Sequence, residues 1–140
     1  MSALEVDDKV EIQELLARSA WAYDEARLDV MEACFCEDAK MSLRIAGGDV
    51  VGPYDGRGAV LDLIRGSIES QNDQRRHVIS NVFFESGEGD RAVVLSTLTL
   101  LATADGEISV LSAGVYRDTV ERREDGWRFR ERFLSLDKPY

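Results

Sequence analysis

Between residues 7 and 26 the apolar positions return at helical spacing, with Ile12, Leu15, Leu16, Ser19 and Tyr23 falling near one line. On a wheel of 100° per residue, Glu11, Glu14, Arg18 and Glu25 share one narrow polar arc. Val10, Ala17, Ala20 and Trp21 extend the apolar arc well round the other side, so this first helix needs cover on more than one flank. Asp29, with Glu32 three residues later, has the form of an N-terminal capping box and predicts a short second helix to about Phe35. Residues 40–45 and 50–54 alternate as a hairpin around Gly47-Gly48-Asp49. Gly56-Arg57-Gly58 ends that hairpin, and Val60, Leu61, Ile64 and Ile68 mark a third amphipathic helix.

Beyond Arg75 the pattern is strand throughout, in residues 77–84, 91–103, 108–122 and 127–136. The connections Ser86-Gly87-Glu88-Gly89-Asp90, Ala104-Asp105-Gly106 and Glu124-Asp125-Gly126 carry turn chemistry. Three helices followed by a long antiparallel meander define an α+β class with no room for parallel βαβ units. A strongly bent sheet wrapped round the first and third helices satisfies this order and leaves a hollow lined by the concave sheet face. With no repeat, linker or low-complexity tract, the 140 residues are expected to form one domain.

Composition narrows the function classes. Hydrophobic residues at 44% and charged residues at 31% are globular values. The longest apolar stretches, such as residues 92–101, are interrupted by Ser96, Thr97 and Thr99 and are too short to span a bilayer. The first eight residues lack the basic start and apolar run of a signal peptide, which makes the cytoplasm the expected location. A net charge of -10 opposes binding to a phosphate backbone, so no nucleic-acid partner is expected. Arg128, Arg130 and Arg132 read as a solvated strand face with ion pairs. Cys34 and Cys36, two apart in a predicted helix, do not face each other and make neither a disulfide framework nor a four-ligand zinc site. One histidine and scattered carboxylates argue against a transition-metal site, and cofactor-independent chemistry is the simpler expectation.

His77 is the single histidine, and any mechanism needing an imidazole at neutral pH has that one candidate. Alternation puts His77, Ile79, Asn81 and Phe83 on one face of their strand and Val78, Ser80, Val82 and Phe84 on the other. A histidine at the start of such a strand equally fits a structural role. Asp24 lies on the wheel between Ala20 and Ala17, inside the apolar arc, where a carboxylate is costly unless it is paired or hydrogen-bonded. A helix C-terminus also opposes negative charge, so the position asks for a reason. Tyr23 sits at the centre of the apolar stripe, where a core aromatic with a bonded hydroxyl is the alternative.

The order of elements, Trp21-Ala22-Tyr23-Asp24 ending the first helix, the strand from Arg75 through His77 to Val82, and the Gly114-Val115-Tyr116-Arg117-Asp118…Asp125-Gly126-Trp127-Arg128-Phe129 hairpin resemble the SnoaL-like families of the nuclear transport factor 2-like superfamily. The resemblance covers nearly the whole chain and implies a cone-shaped helix-and-sheet pocket. In scytalone dehydratase-like members a Tyr-Asp pair ending the first helix meets a histidine of a following strand. The resemblance carries that role onto Tyr23, Asp24 and His77. It implies a lyase or isomerase (dehydratase, isomerase or cyclase) acting on a small hydrophobic cyclic substrate, polyketide-like or steroid-like. Scytalone dehydratase-like sites have a second histidine on the next strand, which residues 91–103 lack. They also have Ser and Asn two apart on the strand after it, where this chain has Ser112 and Gly114, so scytalone itself is not the expected substrate. Asn81, Thr97, Thr99 and Ser112 are expected to orient the ligand, and Trp21 to contact it.

The C-terminal stretch, with Tyr116-Arg117-Asp118 and Arg132-Phe133-Leu134, also resembles the β subunit of aromatic-ring-hydroxylating dioxygenases, a structural role. A binding-only pocket is a third reading. A largely apolar sheet face predicts a homodimer or homotrimer, since a monomer would leave it to water.

Overall fold

The computed structural model describes residues 3–140. Helix α1 (Val6–Asp24) is followed by α2 (Leu28–Cys34), strands β1 (Phe35–Ile45) and β2 (Val51–Asp55), helix α3 (Arg57–Glu69), and strands β3 (Gln74–Glu88), β4 (Arg91–Ala104), β5 (Glu107–Arg123) and β6 (Gly126–Leu136). The six strands form one curled, unclosed sheet in the order β2-β1-β6-β5-β4-β3, with the three helices against its concave side.

The α+β class and the three helices agree with the sequence reading, and four local features differ. First, β1 runs parallel to β6, from Phe35 opposite Phe129 to Ile45 opposite Leu136, so the sheet is mixed rather than a pure meander. Second, β1 starts at Phe35 rather than near Lys40, which places Cys34 at the end of a helix and Cys36 in a strand. Both thiols are free and buried, and burial pushes each above its ordinary pKa. Third, Asp29 does not cap α2. Arg27 holds the N-cap position, and Asp29 lies inside the first turn, where its carboxylate accepts bonds of 3.0 and 2.9 Å from the Arg27 guanidinium. Fourth, Asn81 interrupts β3. It sits at φ 51°, and the pairing with β4 shifts register between Ser80 and Phe83. Its extra residue reverses the alternation. His77 and Ile79 face inward before it, Val82 and Phe84 face inward after it, and Asn81 and Phe83 turn out to solvent.

The main core joins Ile12, Leu15 and Leu16 of α1 to Phe35, Val60, Ile64, Val94, Val120, Trp127 and Phe129. At its base, Asp8 accepts bonds from the Arg122 guanidinium at 2.7 Å, the Trp127 indole at 3.2 Å and the Glu5 amide at 3.2 Å. Burial alone would raise the Asp8 pKa; the indole, the amide and the guanidinium together outweigh it and hold the carboxyl below its ordinary value. A second cluster, Leu98, Tyr116, Leu134 and Leu136, lies toward the other end of the concave face and leaves a space between sheet and helices.

Candidate active site

That space is a cavity of about 430 Å³, bounded by α1, α2, α3 and the inner faces of β1 and β3 to β6. Its walls are mostly apolar, with Met31, Phe35, Met41, Ile64, Leu98 and Leu134 prominent. Polar groups enter at two places, which is the usual composition of a small-molecule site.

The first is the end of α1. Ala20 and Asp24, and likewise Ser19 and Tyr23, are four residues apart and so stand one turn above each other on the same helix face. Ser19, Ala20 and Tyr23 line the cavity, and Asp24 turns toward the first residues of β3. One Asp24 oxygen accepts the His77 backbone amide at 2.9 Å, and the other lies 2.6 Å from His77 Nδ1. Both side chains are buried, 6% and 8% exposed. A carboxylate is acceptor-only, so it selects the tautomer protonated on Nδ1 and leaves Nε2 with an unshared lone pair. His77 lines the cavity, and among the described residues its Nε2 has no hydrogen-bond partner. The Tyr23 ring packs against the imidazole at 4.3 Å between centroids. Gln71 donates to the Tyr23 oxygen at 2.8 Å, so the phenolic proton is directed to an acceptor other than Gln71. Burial pushes the Tyr23 phenol above its ordinary value, opposed by hydrogen bonding with Ser67 and Gln71. It is a neutral donor at physiological pH.

The second polar region was not anticipated. Arg132 and Asp118 form a buried pair, with Nε to Oδ1 at 2.8 Å and Nη2 to Oδ2 at 3.2 Å. Asp118 is fully buried and Arg132 is 6% exposed. Burial pushes the Asp118 carboxyl up while the guanidinium pulls it back, and the two-pronged geometry is what sustains the ion pair. The Arg132 guanidinium lies 3.9 Å over the Tyr116 ring and 4.1 Å over that of Phe129. Arg128, Arg130 and Arg132 looked like one alternating series, but Thr119 pairs with Glu131 and Val120 with Phe129, so Arg130 is an extra residue in the ladder. That bulge sends Arg132 inward while Arg128 and Arg130 stay outward. Alternation did carry a signal on β5, where Tyr116 and Asp118 share the inward register. Arg75, bonded to Asp73 at 2.7 Å, and Tyr140, 5.0 Å from its guanidinium, complete the cavity rim.

Tyr23, Asp24 and His77 are thus brought together, and the four residues expected to orient the ligand and Trp21, expected to contact it, are not. Thr97 and Thr99 face the outer side of the sheet beside Val115 and Ala113, because Leu98 takes the inward register. Asn81 faces solvent through its bulge. Trp21 is 48% exposed and lies under the Arg27 guanidinium. Ser112 is buried, but it donates to the Lys138 carbonyl at 2.7 Å and so anchors the C-terminal segment. Gly114 has no room for the Asn expected from scytalone dehydratase-like sites, because a Cβ there would fall onto the Ser135 carbonyl oxygen. No cluster of three or more His, Cys, Asp or Glu side chains suited to a metal ion occurs among the described residues. No helix among them is long and apolar enough to cross a membrane.

A curled mixed sheet wrapped round helices, with a cavity at one end, places the chain in the nuclear transport factor 2-like fold class. A candidate dehydratase of the NTF2-like family from Streptomyces avermitilis superposes with a TM-score of 0.75 at 18% identity, covering 94% of this chain and 97% of the other. The β subunit of a candidate aromatic-ring-hydroxylating dioxygenase from Novosphingobium aromaticivorans does so with a TM-score of 0.80 at 21% identity, covering 97% and 94%. At those identities the likeness is one of fold. Residues 4–133 match the SnoaL-like domain, and the chain belongs to that family. A Mycobacterium tuberculosis protein of uncharacterized function is 30% identical over 131 residues, 91% of this chain and 84% of its own length.

Proposed function

We propose that this protein is a cofactor-independent lyase or isomerase that binds a small hydrophobic cyclic molecule in its cavity and acts on it with the Asp24–His77 pair. The observation that carries this reading is the 2.6 Å contact between Asp24 and His77 Nδ1, which leaves Nε2 free at the wall of an apolar cavity. In the proposed reaction Nε2 removes a proton from a carbon beside a carbonyl. Asp24 stabilises the imidazolium that forms, and the neutral Tyr23 hydroxyl donates to the developing oxyanion. The imidazolium then returns its proton to another carbon in an isomerisation, or to a departing hydroxyl in a dehydration. Membership of the SnoaL-like family supports the reading, as does the fold shared with a candidate dehydratase.

The test is turnover on cyclic ketones and β-hydroxyketones. Replacing Asp24→Asn and His77→Gln should each lower the rate by roughly 10²-fold or more. The double variant should be little worse than the worse single, because residues acting as a unit are not additive. Full activity in His77→Gln would overturn the mechanism.

One observation favours a second reading. The outer sheet face exposes Phe83 at 57%, Val110 at 67% and Val115 at 42%, beside Val78, Thr97 and Thr99. Such a face suits assembly, either as the expected homodimer or homotrimer or as a structural subunit of a dioxygenase. Two preparations separate them: a stable small homo-oligomer when the chain is expressed alone counts for self-assembly, and co-purification with a larger iron-containing chain from the native source counts for the subunit.

A further inference from the structure

The cavity has a polar pole that the acid–base step leaves unused. Tyr116 lines the cavity and is 6% exposed, yet among the described residues its hydroxyl has no hydrogen-bond partner. Among the described residues the sealed side-chain polar atoms without a partner are Arg44 Nε and Ser96 Oγ; the Tyr116 hydroxyl is not one of them and so opens on the cavity, where its proton is available to an acceptor placed there. Around it, the Arg132 guanidinium lies on the Tyr116 ring, and its Nη1 is 3.5 Å from Ser19 Oγ. Ser19 spends its own proton on the Leu16 carbonyl at 2.8 Å, so its oxygen acts as an acceptor. Ser19 and Tyr23 are one helical turn apart, about 6 Å along α1, which separates this pole from the His77 end.

Charge determines what kind of oxygen fits there. Arg132 has two of its nitrogens committed to Asp118, so the buried pair is neutral as a unit. Arg75 at the rim is likewise matched by Asp73. Among the described residues, Asp24 is met by the imidazole and the backbone amide of His77 and by no arginine or lysine. The cavity therefore holds no spare positive charge for an anion, and a ligand carboxylate would be desolvated beside Asp118 and Asp24 without compensation.

We infer that Tyr116 is a ligand-binding residue whose hydroxyl donates to an uncharged carbonyl oxygen, so that the cavity selects neutral cyclic ketones and rejects the matching carboxylates. This rests on the reading of the cavity as a small-molecule site and adds the substrate class. Burial, offset in part by Arg132, pushes the Tyr116 phenol up to about 12, so it remains a donor across the physiological range.

The experiment compares 2-acetylnaphthalene, 2-naphthoate and 2-ethylnaphthalene by calorimetry and by the carbonyl stretching frequency of the bound ketone. The wild type should bind the ketone at least tenfold more tightly than the carboxylate and shift its carbonyl band to lower frequency. Tyr116→Phe, which keeps the ring under Arg132, should bind the ketone about 5- to 20-fold more weakly and lose the band shift, with 2-ethylnaphthalene unaffected. Carboxylate bound as tightly as ketone, or an unchanged band in Tyr116→Phe, would overturn the inference. Absence of ketone binding by the wild type would overturn it too. His77→Gln should retain ketone binding, so a failed acid–base mechanism and a failed carbonyl pole give different results.

Discussion

Replacing Asp118 by Asn keeps the shape of a fully buried side chain and removes its charge. It leaves the Arg132 guanidinium, 6% exposed, without a counter-ion. The amide oxygen can keep the 2.8 Å bond from Nε, but the amide nitrogen cannot accept the one from Nη2. Breaking a buried pair by removing one partner costs about 3–5 kcal/mol, and the surviving hydrogen bond places this variant near the lower end, about 3 kcal/mol. For a chain of this size that corresponds to a fall of roughly 10 °C in Tm. Urea unfolding at pH 7 measures it, together with Asp118→Leu, Arg132→Met and the double variant Asp118→Leu/Arg132→Met. The double variant should lie within about 1–2 kcal/mol of the wild type, because an apolar pair of similar volume desolvates no charge. A cost below about 1 kcal/mol for Asp118→Asn would refute the reasoning, as would a double variant equal to the sum of its singles.

Two further predictions concern pH. Asp8 has a folded pKa below its ordinary value, so the stability it contributes is present above about pH 4 and is lost as pH falls through the folded pKa. Asp8→Asn should cost about 1–2 kcal/mol at pH 7, with the gap to wild type closing below about pH 4 in urea titrations; a gap that persists at pH 2 would contradict this. Tyr116 has a folded pKa raised to about 12, so its contribution is present below about pH 10 and is lost as pH rises toward that value. Spectrophotometric titration should show a late phenolate component that Tyr116→Phe lacks, and an unchanged late component in the variant would refute its assignment.

How much of this was legible in the sequence depended on whether each element keeps one period. Helix α1 does so from Ile12 to Tyr23, and Asp24 stood out there as a carboxylate in an apolar arc. His77 stood out separately as the single histidine, and the resemblance to scytalone dehydratase-like sites joined the two; the local pattern alone did not, because the end of α1 and the start of β3 meet only in the fold. The strands were readable as strands, but side-chain direction failed wherever an extra residue enters a ladder. The bulge at Asn81 turned a supposed pocket residue outward, and the one at Arg130 turned a supposed surface arginine inward. A bulge leaves little trace in hydropathy, since one residue is added and both flanks still alternate. Thr97 and Thr99 failed for a different reason. Both faces of β4 are rich in apolar and β-branched residues, so alternation shows two faces without showing which is concave. The parallel pairing of β1 with β6 joins residues about ninety apart and is a property of closure rather than of local pattern.

The acid–base claim is tested most directly by deuterium exchange, which needs no knowledge of the natural substrate. A cyclic ketone incubated with the protein in D2O would be followed by proton NMR for loss of signal at the carbon beside the carbonyl. The wild type should exchange that position faster than free imidazole at the same concentration, with His77→Gln and Asp24→Asn slower by roughly 10²-fold or more. Exchange by His77→Gln at the wild-type rate, or by the wild type no faster than imidazole, would contradict the account.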